Sequence, residues 1–253
     1  MDVIRRTALH HAVVSAVREL TPRMRRITLT ASSFGATQPR PAQDVELVLL
    51  DETGRRVKRR YTIRHARAHA AEWDIDVVLH GHGPGARWGE KATVGDDVSL
   101  FGPRGRLVLT DADWHLFVGD ESALPAISAL VEALPPAQQA IALVEIEDEA
   151  EELPIDPDVQ LRWLHRHGAD PGRAELLADA IDQLRHPAGT GHAYLLGESR
   201  AVVALRHRIH DLGLTNEQIY LKGYWNLGRH PADRRGFQSP PGSNTLQSAR
   251  LGL

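Results

Sequence analysis

The chain has 253 residues, enough for two domains of ordinary size. Its apolar (42%) and charged (25%) fractions are those of a soluble globular protein, and a net charge of −3 gives no reason to expect a nucleic-acid partner. With no cysteine, disulfides, thiolate metal sites, cysteine-ligated iron–sulfur clusters and a catalytic thiol are all excluded.

The start, MDVIRRTALHHAVV, has no long apolar core, so no secretory signal is expected. No stretch approaches the roughly 18 apolar residues of a membrane span, which makes a cytoplasmic location the default. Residues 8–110 read as β. ALHHAVVSAVREL, MRRITLTA, VELVLLD, RRYTIRHA, WDIDVVLH and DDVSLFGP are short runs rich in Val, Ile, Leu and Thr. Turn signals separate them, such as Thr21-Pro22, Asp51-Glu52-Thr53-Gly54 and Val94-Gly95-Asp96. Six such strands predict a small antiparallel β-barrel.

Near Asp111 the pattern changes. WHLFVGD (114–120) is a buried-type strand, and SALPAISALVEAL (122–134) has helical period and stops at Pro135-Pro136. Strands IALVEIED, VQLRWLHR, HAYLLGE and QIYLKGYW follow, with helices predicted at 174–184 and 199–213. Alternation of this kind predicts a parallel sheet with helical crossovers, a Rossmann-like α/β domain. The expected division is a barrel over 1–112, an α/β domain over 113–229 and an irregular tail over 230–253 that is rich in Pro, Gly and Ser.

Three places could carry chemistry. Arg59, Tyr61 and Thr62 put a cation, a ring and a hydroxyl on one strand; alternation sends Thr62 to the opposite face unless a bulge re-aims it. With Arg60 and Arg64 nearby they read as an anion site or as a solvated basic strand. His80-Gly81-His82-Gly83-Pro84-Gly85-Ala86-Arg87-Trp88 reads as a glycine-rich turn into a helix, whose backbone N–H groups suit a phosphate; a turn shaped only for the backbone is the alternative. Gly119-Asp120-Glu121-Ser122 joins an apolar strand to a helix, where ligands bind in open α/β sheets, and Gly197-Glu198-Ser199 repeats the arrangement. His80 and His82 lack a third metal ligand, and His10-His11 and His165/His167 read as surface residues, so no metal site is expected. No GxSxG is present, which argues against a serine hydrolase.

RRYTIR, DIDVVLHGHGPGARW, GDDVSLFGPRG, GDESALPAI, LLGE and KGYW occur in the order seen in siderophore-interacting proteins, and the resemblance runs from about Val13 to Gly228. These are flavin-dependent ferric-siderophore reductases of the ferredoxin-reductase-like class. The resemblance implies an FAD-binding barrel followed by an NAD(P)-binding-like domain, with FAD as cofactor and NAD(P)H or ferredoxin as electron donor. It implies that Arg59 holds the FAD pyrophosphate, Tyr61 stacks on the flavin and Thr62 reaches its N5 edge. His80, Gly83, Gly85 and Trp88 would cradle the ribityl-pyrophosphate region. Asp120, Glu121, Ser122 and Glu198 would face the nicotinamide nucleotide. Tyr224 and Trp225 would approach the flavin from the second domain, with Lys222 and Arg229 beside the ferric siderophore. A monomer is expected; a non-catalytic siderophore-binding protein and a flavin reductase with a protein partner are the alternatives.

The chain departs from the family pattern where basic residues often meet anionic siderophores. Glu46 stands in VELVLL, the acidic run Glu145-Ile146-Glu147-Asp148-Glu149 follows a strand of the second domain, and Asn226 follows Tyr224-Trp225. Reduced charge complementarity toward an anionic chelate is the expectation, with Lys222, Arg229 and Arg166 as possible compensation.

Overall fold

A computed structural model describes residues 8–155 and 159–228. Arg229 and the tail expected over 230–253 lie outside the described residues. The six predicted N-terminal strands all form: β1 (Leu9–Thr21), β2 (Met24–Thr30), β3 (Asp44–Leu50), β4 (Arg56–Arg67), β5 (Glu72–Val78) and β6 (Asp97–Arg104). They close into an antiparallel barrel in the order β1-β2-β5-β4-β3-β6. One helix, α1 (Gly83–Lys91), connects β5 to β6.

Alternation decides which side chains fill this barrel. Along β5, Trp73, Ile75 and Val77 point inward to meet Ile27, Leu29, Leu47 and Leu100, and Phe34 stacks on Trp73 with centroids 3.7 Å apart. The alternate residues Asp74 and Asp76 are also buried, and each has a cation: Arg67 and Arg26 bond them in bidentate fashion at 2.7–2.8 Å.

The second half is a five-stranded parallel sheet in the order β11-β10-β7-β8-β9. Its strands are β7 (Trp114–Asp120), β8 (Gln139–Ile146), β9 (Gln160–His165), β10 (Gly191–Glu198) and β11 (Ile219–Trp225). Helices α2 (Leu124–Val131), α3 (Glu175–Asp182) and α4 (Ser199–Asp211) cover it. Every residue of β7 and β10 is buried, as central parallel strands covered on both faces should be. The two-domain architecture implied by the resemblance is the one the chain forms.

The domains share a core. Met24, Ala42 and Leu107 of the barrel belong to the same apolar cluster as Phe117, Leu124, Ile127, Tyr194 and Leu196 of the α/β domain. Ion pairs rim this contact. Arg64 of β4 forks onto Glu132 after α2, Arg23 reaches Glu147 at 2.9 Å, and Thr21 donates to the buried carboxylate of Glu151. Deepest is Lys222 of β11, which donates to Asp44 at the start of β3 at 3.0 Å.

Asp44 is 2% exposed, so removing Lys222 strands a buried charge. Lys222→Met should cost about 3 kcal/mol in urea denaturation, and adding Asp44→Asn should recover at least about half of that. Independent, additive losses would show that the pair is not coupled.

Candidate functional site

The site is built where β4, the N-terminus of α1 and the end of β11 converge. Register sets the β4 end of it. Tyr61 pairs with Val45 and Thr62 with Asp44, and a bulge between Ile63 and His65 shifts the strand against β5. The side chain of Thr62 is buried while Tyr61 is half-buried, so the two residues present a hydroxyl and a ring to different surroundings.

Tyr61 lies against α1. A Cβ at position 85 would overlap the Tyr61 hydroxyl and lie 3.5 Å from Arg59 Cγ, so Gly85 is a glycine because β4 approaches so closely. Gly85 therefore admits Tyr61 rather than leaving an open surface. Gly83 has φ +76° and open space around its Cβ position, and Pro84 starts the helix. No side chain caps this helix N-terminus. Burial pushes the Tyr61 phenol up, opposed by the Arg59 charge. Trp88, one turn into α1, packs against the barrel core with its ring 6.4 Å from that of Tyr61. His80 and His82 flank the turn with ring centroids 6.5 Å apart; desolvation and the neighbouring imidazole lower the pKa of His80.

From the other domain, β11 brings Lys222 and Tyr224 to Thr62. Lys222 Nζ lies 4.8 Å from the Tyr224 ring centroid while donating to Asp44. Tyr224 is held above its ordinary pKa by burial, with Lys222 and Thr62 opposing the rise. Thr62 Oγ1, the Tyr224 hydroxyl and Asp44 Oδ1 are buried without a partner of good hydrogen-bonding geometry. Orphaned buried polar atoms are costly unless a ligand completes them. Farther along β4 lies a cleft of about 460 Å³ between the domains, lined by Arg40, Ile63, Arg64, His65, Arg67 and Glu132, among others.

Trp225 and the β-strand-end carboxylates form a separate cluster. Asp120 accepts from the Ser122 backbone N–H at 2.9 Å, from the Ser122 hydroxyl, from the Glu198 backbone N–H at 3.0 Å and from Trp225 Nε1 at 2.8 Å. Glu198 caps α4 by accepting from the N–H groups of Arg200 and Ala201, and it also accepts from Leu227. Burial and the Glu121 charge push the Asp120 carboxyl up to about 6, against the pull of Ser122 and Trp225. Thus Trp225 packs over the turn of the α/β domain, while its neighbour Tyr224 faces the barrel.

Three of the acidic residues singled out as departures, Glu46, Glu145 and Glu147, have cationic partners. Glu46 is surrounded by Lys58 at 3.0 Å, Arg104 at 2.9 Å and Arg60 at 3.7 Å, a cluster that remains net positive. Arg166, buried, forks onto Glu121 at 2.7 and 2.8 Å and contacts Glu145 and Glu147 at 3.4 Å. Glu145 and Glu147 therefore serve an internal ion network that consumes Arg166, while Glu149 stays exposed. Asn226 is exposed. Sequence reasoning missed Asp44; a lone acid at the start of an apolar strand was the only signal available.

Two family models match the chain. The one described as siderophore-interacting FAD-binding domain matches residues 47–107, and the one described as siderophore-interacting protein matches residues 112–228. The chain is 38% identical over 182 residues to ferric vibriobactin reductase ViuB of Vibrio cholerae, covering 69% of this chain and 66% of ViuB. It is 32% identical to the uncharacterized protein Rv2895c of Mycobacterium tuberculosis, covering 87% of this chain and 91% of that one. A solved siderophore utilization protein from T. fusca superposes with a TM-score of 0.81 at 33% identity, over 88% of this chain and 94% of the other.

Folding raises the Asp120 carboxyl above its unfolded value, so the protonated form favours the fold. That contribution is complete below about pH 4 and is lost as the pH climbs through about 6. Between about pH 4.5 and pH 7 it amounts to about 2 kcal/mol of stability in the wild type. Asp120→Asn should lack this component while being less stable throughout, because the single amide oxygen cannot accept both from Ser122, which donates to Oδ1, and from Trp225 and Glu198, which donate to Oδ2. Parallel urea-denaturation profiles for the two proteins would assign the titration elsewhere.

Proposed function

The chain belongs to the siderophore-interacting protein family, and from that premise we propose that it is an FAD-dependent reductase of ferric siderophores drawing electrons from NAD(P)H. The observation that carries the reading is the meeting of two buried hydroxyls, Thr62 of β4 and Tyr224 of the second domain, near a glycine-opened helix N-terminus that no side chain caps. The residues fit the cofactor. Arg59 and the uncapped N–H groups of α1 would hold its pyrophosphate, where positive charge and the helix dipole act together. Gly83 would leave room for that approach, with His80 and Trp88 flanking it. Tyr61 would flank the ring system, Thr62 would donate a hydrogen bond to its edge, and Tyr224 would cover it from β11.

Bound FAD would supply the conversion of a two-electron hydride donor into one-electron reduction of iron. In balance, one NAD(P)H and two Fe(III) chelates give NAD(P)⁺, a proton and two Fe(II) ions, which hard oxygen ligands hold less tightly. The protein's part is to bind, orient and exclude water. An anionic chelate docking in the cleft between the domains would meet Arg40, and would compete with Glu132 for Arg64 and with Asp74 for Arg67. The turn at Asp120, Glu121 and Ser122, with Glu198, Trp225 and its buried Asp120 contact, lies where a nicotinamide nucleotide meets the sheet in this fold class. Lys222 supports the reading indirectly, by holding β11 against the barrel through Asp44.

Purified protein mixed with FAD should retain flavin absorbance near about 450 nm and reduce ferric chelates with NADH or NADPH. Gly85→Val, which displaces Tyr61, should weaken FAD binding by at least about tenfold, or about 1.4 kcal/mol. Thr62→Val should keep FAD bound yet slow flavin reduction in stopped flow by about tenfold or more. Retention of neither flavin nor chelate reduction by the wild type would end this reading; turnover only with an added ferredoxin would replace the donor alone.

A further inference from the structure

A second constellation lies at the far edge of the parallel sheet, where β9 ends. His165 closes the strand, His167 follows two residues later, and Glu149 begins a short 3-10 turn over residues 149–151. One ligand atom from each of the three lies within 4.8 Å of the other two. His165 Nδ1 is 3.8 Å and His167 Nε2 is 3.9 Å from the same Glu149 Oε1. We propose that these three residues bind a divalent first-row transition ion of the Fe²⁺-to-Zn²⁺ class.

The chemistry of the donors carries the assignment. His165 Nε2 lies 3.0 Å from Glu152 Oε1. A carboxylate only accepts, so this contact makes Nε2 a protonated nitrogen, and in the neutral ring the Nδ1 lone pair then faces Glu149. Two electron-rich atoms thus confront each other, an arrangement that a cation between them converts into attraction. A carboxylate on the outer nitrogen of a ligating imidazole is the usual device for fixing ring orientation and raising basicity at metal sites. Two imidazoles and one carboxylate are a donor set matched to borderline ions, with positions left for water.

The backbone is arranged for it. His167 has φ +48°, the left-handed region that non-glycine residues seldom occupy. The conformation is pinned by its own N–H donating to Glu147 O at 2.8 Å and by Gly168 N–H donating to the Glu147 carboxylate at 2.9 Å. The ring lands 5.4 Å from that of His165. Asp148 fixes the other side by accepting from the Ala150 N–H at 2.9 Å. An ion about 2.1 Å from each ligand needs donor separations near about 3.4 Å. The present separations of up to 4.8 Å must shorten to reach it, and the Glu149 and His167 side chains, more than 60% exposed, can swing inward to do so.

Isothermal titration of the full chain with Zn²⁺, and with Fe²⁺ under anaerobic conditions, should show one site that Mg²⁺ does not fill. His165→Asn with His167→Asn should abolish it, and Glu149→Gln should weaken it. Glu152→Gln should lower the Zn²⁺ affinity about tenfold without removing a ligand. Circular dichroism of each variant should match that of the wild type, as the check that it folds. An imidazolium at His165 bridging Glu149 and Glu152 accounts for the same geometry with no metal, and it predicts no saturable Zn²⁺ binding by the wild type. That result, or unchanged affinity in the double histidine variant, would overturn the proposal.

Discussion

The contact between Lys222 and Asp44 is the constraint around which the two domains are arranged. A buried carboxylate at the first residue of β3 is costly unless it is paired, and its partner comes from the last strand of the other domain. The pair fixes β11 against β4, because Asp44 sits directly opposite Thr62 in the barrel register. Tyr224, two residues beyond Lys222, is thereby brought to Thr62 from across the interface. The apolar cluster shared by Met24, Leu107, Phe117 and Tyr194 supplies the area that holds the domains together, and the ion pair supplies the registration, since apolar contact alone is not directional.

A division of labour follows along β11. Lys222 and Tyr224 face the barrel, whereas the Trp225 indole reaches Asp120 and Ser199 bonds the Trp225 carbonyl at 2.8 Å. A single strand end therefore couples the Thr62 region to the strand-end turns of the parallel sheet. Asp120 is the node of the second region. Its four donors come from three segments, so the turn after β7, the turn after β10 and the end of β11 are held as one unit. Where sequence alone suggested an open ligand turn at Asp120, the carboxylate is already saturated by protein donors.

The charge pattern is also rearranged by folding. Read linearly, Glu46 and the run from Glu145 argue for a site poor in positive charge. In the structure, Glu46 is outnumbered by Lys58, Arg60 and Arg104, and Glu145 and Glu147 are tied up by Arg166 and Arg23. Electrostatic complementarity is a property of surfaces, and in the cleft between the domains Arg64 and Arg67 are likewise held by carboxylates, Glu132 and Asp74.

The sequence by itself determined the elements and their order. Period-two alternation in MRRITLT and DIDVV, continuous apolar runs in WHLFVGD and HAYLLG, and helical period in the segment from Ser199 each encode a local geometry that tertiary context did not override. It also put Arg59, Tyr61 and Thr62 on one strand and a turn ahead of α1, since a strand residue type and a Gly-Pro helix start are local signals. Only the tertiary structure decided which side chains meet. That Gly85 makes room for Tyr61, that Asp44 takes Lys222, that Arg166 vanishes into Glu121 and Glu145, and that His165 and His167 share Glu149 are all contacts between segments apart in the chain. The physical reason is that periodicity reports which face of an element is buried, whereas partner choice is set by register and by the desolvation of charges. Neither is written in any single segment.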